Sequence, residues 1–263
     1  MRVYLPPSYA QDPARRYPVL YLHDGQNVFS FAGTNIAFGW GSWELDKTAD
    51  ELSWAGKIPE LILVGVDNSP ARLLEYNGAE HATNMTELTA YDKYSAFLIE
   101  ELKPKIDAEY RTQPGPSHTG IMGSSMGGLC SVALAWQHPE VFGRAASLSG
   151  AFQVNTNFLN QALRGYQGKP KPVRFYLDSG TVDFMGGDDG RARTEAVAAE
   201  FRRIGWGSEL IHYIDAQPLD LAGLEKAGLR RDKWAEAQTS QHNEFYWRVR
   251  AWRALTFLFP PGK

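Results

Sequence analysis

Ser125 is the residue with the most chemistry to offer. It stands at the centre of Gly123-Ser124-Ser125-Met126-Gly127, a G-x-S-x-G pattern. An apolar strand-like run precedes it and an apolar helical run follows, which is the context that makes the pattern meaningful. Glycines two residues either side let a sharp strand-to-helix turn close, and the turn lifts the hydroxyl clear of its neighbours. Ser124 is flanked instead by Met122 and Met126, so it is the poorer candidate. A serine hydroxyl is a weak nucleophile and needs a base, with a carboxylate to orient that base. The order expected for this arrangement is serine, then acid, then histidine. Of the six histidines, His23, His81 and His118 precede Ser125, His138 ends the helix that follows it, and His212 falls inside an expected strand. His242, in "TSQHNEFYW" just before the last helix, is left as the expected base.

The expected acid is Asp183, in the loop "SGTVDFMGGDDG" that follows the strand "VRFYLD". Asp178, closer to the strand body, is the second choice. The pair Asp188-Asp189 sits among glycines without calcium-loop spacing and reads as a solvated turn. Two backbone amides would receive the oxyanion: Met126, at the positive end of the helix after the serine, and Gln26, beyond Gly25 in "LHDGQNVF". His23 and Asp24 are expected to brace that loop.

Substrate contacts are expected from "NVFSFAGTNIAFGWGSWELDKT", which carries Phe29, Phe31, Phe38, Trp40 and Trp43. Aromatic faces suit sugar rings and phenolic acids alike. Phe29, Trp40 and Trp43 are taken as pocket residues, although at least two of the five aromatics should simply be core. Arg72 is expected either to meet an anionic group of the substrate or to pair with Glu75 or Glu44.

The elements that must position these groups alternate along the chain. Apolar runs at 2–5, 18–23, 60–67, 118–123, 144–150, 173–178 and 208–214 read as strands. Most are continuously apolar, as strands covered on both faces are. Helical stripes fall between them: Tyr94, Phe97, Leu102, Ile106 and Tyr110, with Pro104 expected to kink the helix; Leu129 to Trp136; Val197 to Ile204; and Phe245, Val249, Trp252, Leu255 and Phe259. The alternation predicts one α/β domain over residues 1–263, a mostly parallel central sheet with helices on both faces.

The 263 residues carry a net charge of −3 and no block of lysine and arginine, which speaks against nucleic acid or an anionic membrane as partner. No run approaches the roughly 20 apolar residues of a membrane span. The one cysteine, Cys130, lies in an apolar helical run and reads as buried. The compartment stays open: cytoplasmic if the chain is complete, secreted or periplasmic if a leader preceded it. Oligomeric state is not legible.

The pieces "RVYLPPSY", "PVLYLHDGQNVF", "LILVGVDN", "RLLEY", "FLIEELKPKIDAEYRT", "IMGSSMGGLCSVALAWQHPEVFGRAASLSGAF", "YLDSGTVD" and "HNEFYWRVRAWRALTFLF" span nearly the whole sequence. Together they resemble the esterase family of the α/β-hydrolase superfamily that includes enterochelin, feruloyl, acetyl-xylan and esterase D-type enzymes and the related mycolyltransferases. The resemblance implies a Ser125-Asp183-His242 triad and cofactor-free serine-ester hydrolysis. It implies a small-molecule or saccharide ester as substrate, with acetyl, feruloyl or siderophore esters in view. Two alternatives stand beside this: acyl transfer to a sugar or lipid hydroxyl, and a silent binding module of the same fold. Two departures are visible. The chain begins where the family usually has a second strand. Residues 216–241 separate the last strand from His242 where relatives often have a short loop, and this partly apolar insertion is expected to form a helical cap.

Overall fold

A computed structural model describes residues 1–33, 35–78 and 88–262. Its seven strands are β1 (Arg2–Tyr4), β2 (Val19–His23), β3 (Ile62–Val66), β4 (Thr119–Ser124), β5 (Arg144–Leu148), β6 (Arg174–Ser179) and β7 (Leu210–Ile214). They form one sheet in the order β1-β3-β2-β4-β5-β6-β7. β1 runs antiparallel to β3 and every other pair is parallel. Each of the seven expected strands is present, with its ends within two residues of the expected ones; β4 and β6 are displaced by one residue towards the carboxyl end.

The helices among the described residues are α1 (Leu45–Trp54), α2 (Arg72–Glu75), α3 (Ala90–Ala96), α4 (Lys103–Glu109), α5 (Met126–Gln137), α6 (Arg191–Ile204), α7 (Leu221–Lys226), α8 (Trp234–Ala237) and α9 (Glu244–Leu258). Between α3 and α4 the turns widen over Phe97–Leu102, where Lys103 N–H donates to Leu98 O, five residues back. That widening carries the helix through Pro104, which has no N–H to give.

Side-chain alternation along the strands divides the core in two. Tyr21, Ile62, Val64, Ile121, Ala145 and Phe175 face α3–α6. Leu20, Leu22, Leu63, Met122, Ala146 and Tyr176 face α1 and α9. Neighbouring residues thus serve opposite faces, which is why the strands read as unbroken apolar runs. Cys130 and most of α5 are buried on all sides. In α9 the buried face is Trp247, Ala251, Ala254, Leu255 and Leu258, whereas Trp252 is 44% exposed. Of the expected stripe, Phe245, Leu255 and Phe259 are buried; Val249 and Trp252 are not, and at its centre the inward-pointing residue is Arg250.

From β2 the chain crosses to β3 on one side, and from β4 to β5 on the other. This divergence opens a crevice at the carboxyl ends of β2 and β4, where ligands bind in open α/β sheets. Two glycines allow the backbone to reach it. A Cβ on Gly25 would lie 2.4 Å from the Gly65 carbonyl carbon, and one on Gly123 would lie 2.6 Å from that of Gly127. Gly123→Ala should therefore destabilise the fold by about 1–3 kcal/mol through overpacking against backbone. Gly115→Ala, where a Cβ meets nothing within 4 Å, should change stability by less than about 0.5 kcal/mol. Urea unfolding of the two variants checks the contrast; equal midpoints would refute it.

Candidate active site

Ser125 caps α5 with φ 54° and ψ −125°, a conformation a non-glycine residue holds only when its surroundings impose it. Here the imposition is backbone pairing. Ser125 N–H donates to Leu148 O at 3.0 Å, and Ser125 O accepts from Ala151 at 2.9 Å and from the first turn of α5. Ser125 and Ser124 both border a cavity of about 720 Å³ that opens at the crevice.

His242 borders the same cavity. It lies two residues before α9, and its Nδ1 is 2.6 Å from Asp189 Oδ1. A carboxylate can only accept, so Nδ1 carries the proton and Nε2 keeps its lone pair. Asp189 is fully buried, at φ 57°, just before Gly190 and α6. Its Oδ2 accepts from Ser149 Oγ at 2.6 Å and from the Gly180 amide. Ser149 Oγ in turn accepts from Trp247 Nε1 at 3.0 Å and from Arg250 Nη2. Burial works to raise the Asp189 pKa. The His242 bond, the charges of Arg250 and His242 and the Ser149 bond outweigh it and hold the carboxyl below its ordinary range. Asp178 shares Arg250, 3.2 Å from its Nε. With burial as the largest influence, Asp178 is nevertheless pushed up to about 6.

The sequence expectation of Asp183 as the partner of His242 is thus replaced by Asp189. The Asp183 carboxylate turns back on its own loop, accepting from the Met185 amide at 2.9 Å and the Gly187 amide at 2.8 Å. The second choice, Asp178, faces Arg250 and Tyr176.

The loop after β2 returns over the crevice. Asp24 has φ 55° and begins a single turn, Gly25–Asn27. Arg72 grips Asp24 with two bonds, Nε to Oδ1 at 2.7 Å and Nη2 to Oδ2 at 2.8 Å, and Asn68 Nδ2 joins them. The partner of Arg72 is therefore neither Glu75 nor Glu44. Beneath, His23 bonds the Tyr94 hydroxyl at 2.9 Å, and burial lowers its pKa to about 4, so it stays neutral. Met126 N–H and Gln26 N–H donate to no other described residue; Gln26 borders the cavity, and its side chain accepts from the Asn68 amide.

Of the expected substrate residues, Trp40, Trp43 and Arg72 border the cavity and Phe29 does not. Phe29 is wholly buried in the core beneath α1, stacked on Phe31 at 5.3 Å. The loop instead offers Phe38, 94% exposed, at the rim. Trp247 of α9 and Phe184 also line the cavity and were not singled out in the sequence. Residues 216–241 hold α7 and α8. They pack through Leu224, Leu229 and Ala237 on Trp40, Phe245 and Tyr246, and they bring Glu236 and Ser240 to the cavity. No described helix is long and apolar enough to cross a membrane, and no described cluster of His, Cys, Asp and Glu could hold a metal ion.

Comparison with known proteins fits this architecture. A ferulic acid esterase superposes with a TM-score of 0.65 at 18% identity, covering 98% of this chain and 90% of its own. The enterobactin esterase of Shigella flexneri, in the presence of enterobactin, superposes at 0.67 and 18% identity, over 97% of this chain and 53% of its own. In sequence, the chain is 28% identical over 154 residues to the uncharacterized protein YbbA of Bacillus subtilis (strain 168), covering 57% of this chain and 56% of that one. It is 30% identical over 164 residues to an endo-1,4-beta-xylanase/feruloyl esterase of Xylanibacter ruminicola, covering 56% of this chain and 19% of that one. The matches thus span about half of the first relative's length and a fifth of the second's. Residues 1–255 match the family described as "Putative esterase", so the chain belongs to that family, and it has the α/β-hydrolase fold.

Proposed function

We propose that the protein hydrolyses carboxylic esters through a Ser125-His242-Asp189 triad and an acyl-enzyme. The observation that carries this reading is the 2.6 Å bond between Asp189 and His242 Nδ1, with the imidazole and Ser125 bordering one cavity. His242 Nε2 takes the Ser125 proton as Oγ attacks the ester carbonyl carbon. Asp189 fixes the tautomer and stabilises the imidazolium that forms. The amides of Met126 and Gln26 receive the oxyanion, helped by the positive end of α5. The tetrahedral adduct collapses, the carbon–oxygen bond to the alcohol breaks, and His242 returns the proton to the leaving oxygen. Water then attacks the acyl-enzyme by the same route and frees Ser125.

The substrate class follows from the walls. Trp40, Trp43, Trp247, Phe38 and Phe184 offer aromatic faces to a sugar or phenolic ring. Acetyl or feruloyl esters of carbohydrate fit them, as do esters of the siderophore type, and both kinds of substrate occur in the names of the structural neighbours.

Ser125→Ala should lower kcat for p-nitrophenyl acetate by a factor on the order of 10⁶. Turnover near the wild-type rate would remove Ser125 from the mechanism. Asp189→Asn should lower kcat by roughly 10⁴, because an amide no longer fixes the imidazole tautomer. Asp183→Asn should change kcat less than about tenfold, since its carboxylate only closes a surface loop. Steady-state kinetics of the two variants side by side decides between the aspartates.

A further inference from the structure

Glu244 opens α9 two residues after His242, and its carboxylate borders the same cavity. Oε1 accepts from Asn27 Nδ2 at 3.2 Å, and no hydrogen bond with another described side chain uses Oε2. The neighbouring charges are all committed. Arg72 is held by Asp24 through two bonds, His242 by Asp189, and Glu236 at the rim by Lys233 at 3.0 Å. Glu244 is therefore a cavity carboxylate with no cation of its own. Burial, reinforced by the charge of Asp24, pushes it up to about 7 against the opposing pull of its own backbone N–H, Arg72 and the Asn27 bond. A carboxylate at the first position of a helix is favoured by the helix dipole, which accounts for an acid there. It does not account for the acid being turned into the cavity against Asn27.

A carboxyl so placed, short of both water and counter-charge, gains from any donor that a ligand brings to it and repels an anion. We propose that Glu244 is a specificity-determining residue, selecting esters whose alcohol portion carries a hydrogen-bond donor and rejecting those with an anionic group in that position. The alcohol portion is indicated because His242 returns its proton to the leaving oxygen, and Glu244, two residues on at the start of α9, borders the same cavity. This rests on the triad reading above. Within the substrate classes considered there, it favours hydroxyl-rich carbohydrate esters over anionic ones.

Five acetate esters test it: ethyl beside 2-hydroxyethyl, and 3-methylbutyl as the neutral control of similar size for 2-(dimethylammonio)ethyl and 2-carboxyethyl. The wild type should cleave the hydroxyl and ammonium esters with kcat/KM about tenfold or more above their neutral controls, the scale of a hydrogen bond to a charged group. The carboxyethyl ester should be poorest. Glu244→Gln should keep the hydroxyl preference and lose the ammonium one; Glu244→Leu should lose both. If Gln instead loses both, selection of either donor requires the negative charge, and recognition of the hydroxyl through an acceptor oxygen alone is overturned. Wild-type ratios near unity, or Leu ratios equal to the wild type's, would overturn the proposal. Labelling of Ser125 by a fluorophosphonate reports the folded site in each protein. Labelled wild type with flat selectivity defeats this inference alone, whereas absence of labelling defeats the triad. If the Leu variant does not label, the wild-type series and the Gln variant still decide.

Discussion

One guanidinium, sealed inside the last helix, holds the chemistry in place. Arg250 is 1% exposed and lies among three carboxylates, those of Asp178, Asp189 and Asp215. A buried cation alone would be ruinous, and two buried carboxylates side by side nearly so. Together they settle only in the arrangement that pairs them. Such networks add little net stability over an apolar core, but they tolerate few geometries. The chosen geometry aims one oxygen of Asp189 at His242 and loads the other with Ser149 and Gly180. Asp178, which accepts from the Ser149 amide and the Tyr176 hydroxyl but has neither His242 nor the Gly180 amide, is the carboxyl that burial raises. One cation thus leaves two neighbouring acids with opposite tendencies, and the more firmly ionised one stands behind the imidazole.

The sheet supplies the other half. Its divergence at β2 and β4 sets the two loops that carry Gln26 and Ser125 side by side, and the glycines let them approach. Asp24, tied to Arg72 and Asn68, braces the first loop from outside the reaction, with a neutral His23 packed below. The serine keeps its positive φ because strand and helix bonds converge on its backbone.

Most of this frame was legible in the sequence. Long-range order lives in the strands, and their apolar runs are visible because both faces of each strand are buried. Ser125 and His242 were legible as candidates because each sits at a punctuation mark, a glycine turn and the boundary of the last helix, and the structure brings both to one cavity. The acid was not. The loop after β6 holds Asp183, Asp188 and Asp189 within seven residues, and counting from the strand end favours the first. What selects Asp189 is its burial against Ser149 and Arg250, residues distant in sequence. Its one local mark is the adjacent Gly190, which allows the left-handed step into α6. Arg250 carries no local mark: Arg248 and Arg253 of the same helix are partly exposed, and only the distant carboxylates set Arg250 apart. Phe29 shows the converse: an aromatic beside a binding loop is as readily core as wall.

Residues 216–241 run from the end of β7 directly into His242, and on the way they lean on Trp40 through a shared apolar cluster and the Lys233 ammonium. The wall of the cavity and the tether of the imidazole are therefore one uninterrupted length of polypeptide. Whatever presses on that wall, a bulky guest or a replaced tryptophan, is transmitted along a few bonds to the base itself. Under the proposed triad, selectivity and turnover would share that tether, so a substitution made to widen the cavity would also register in the rate.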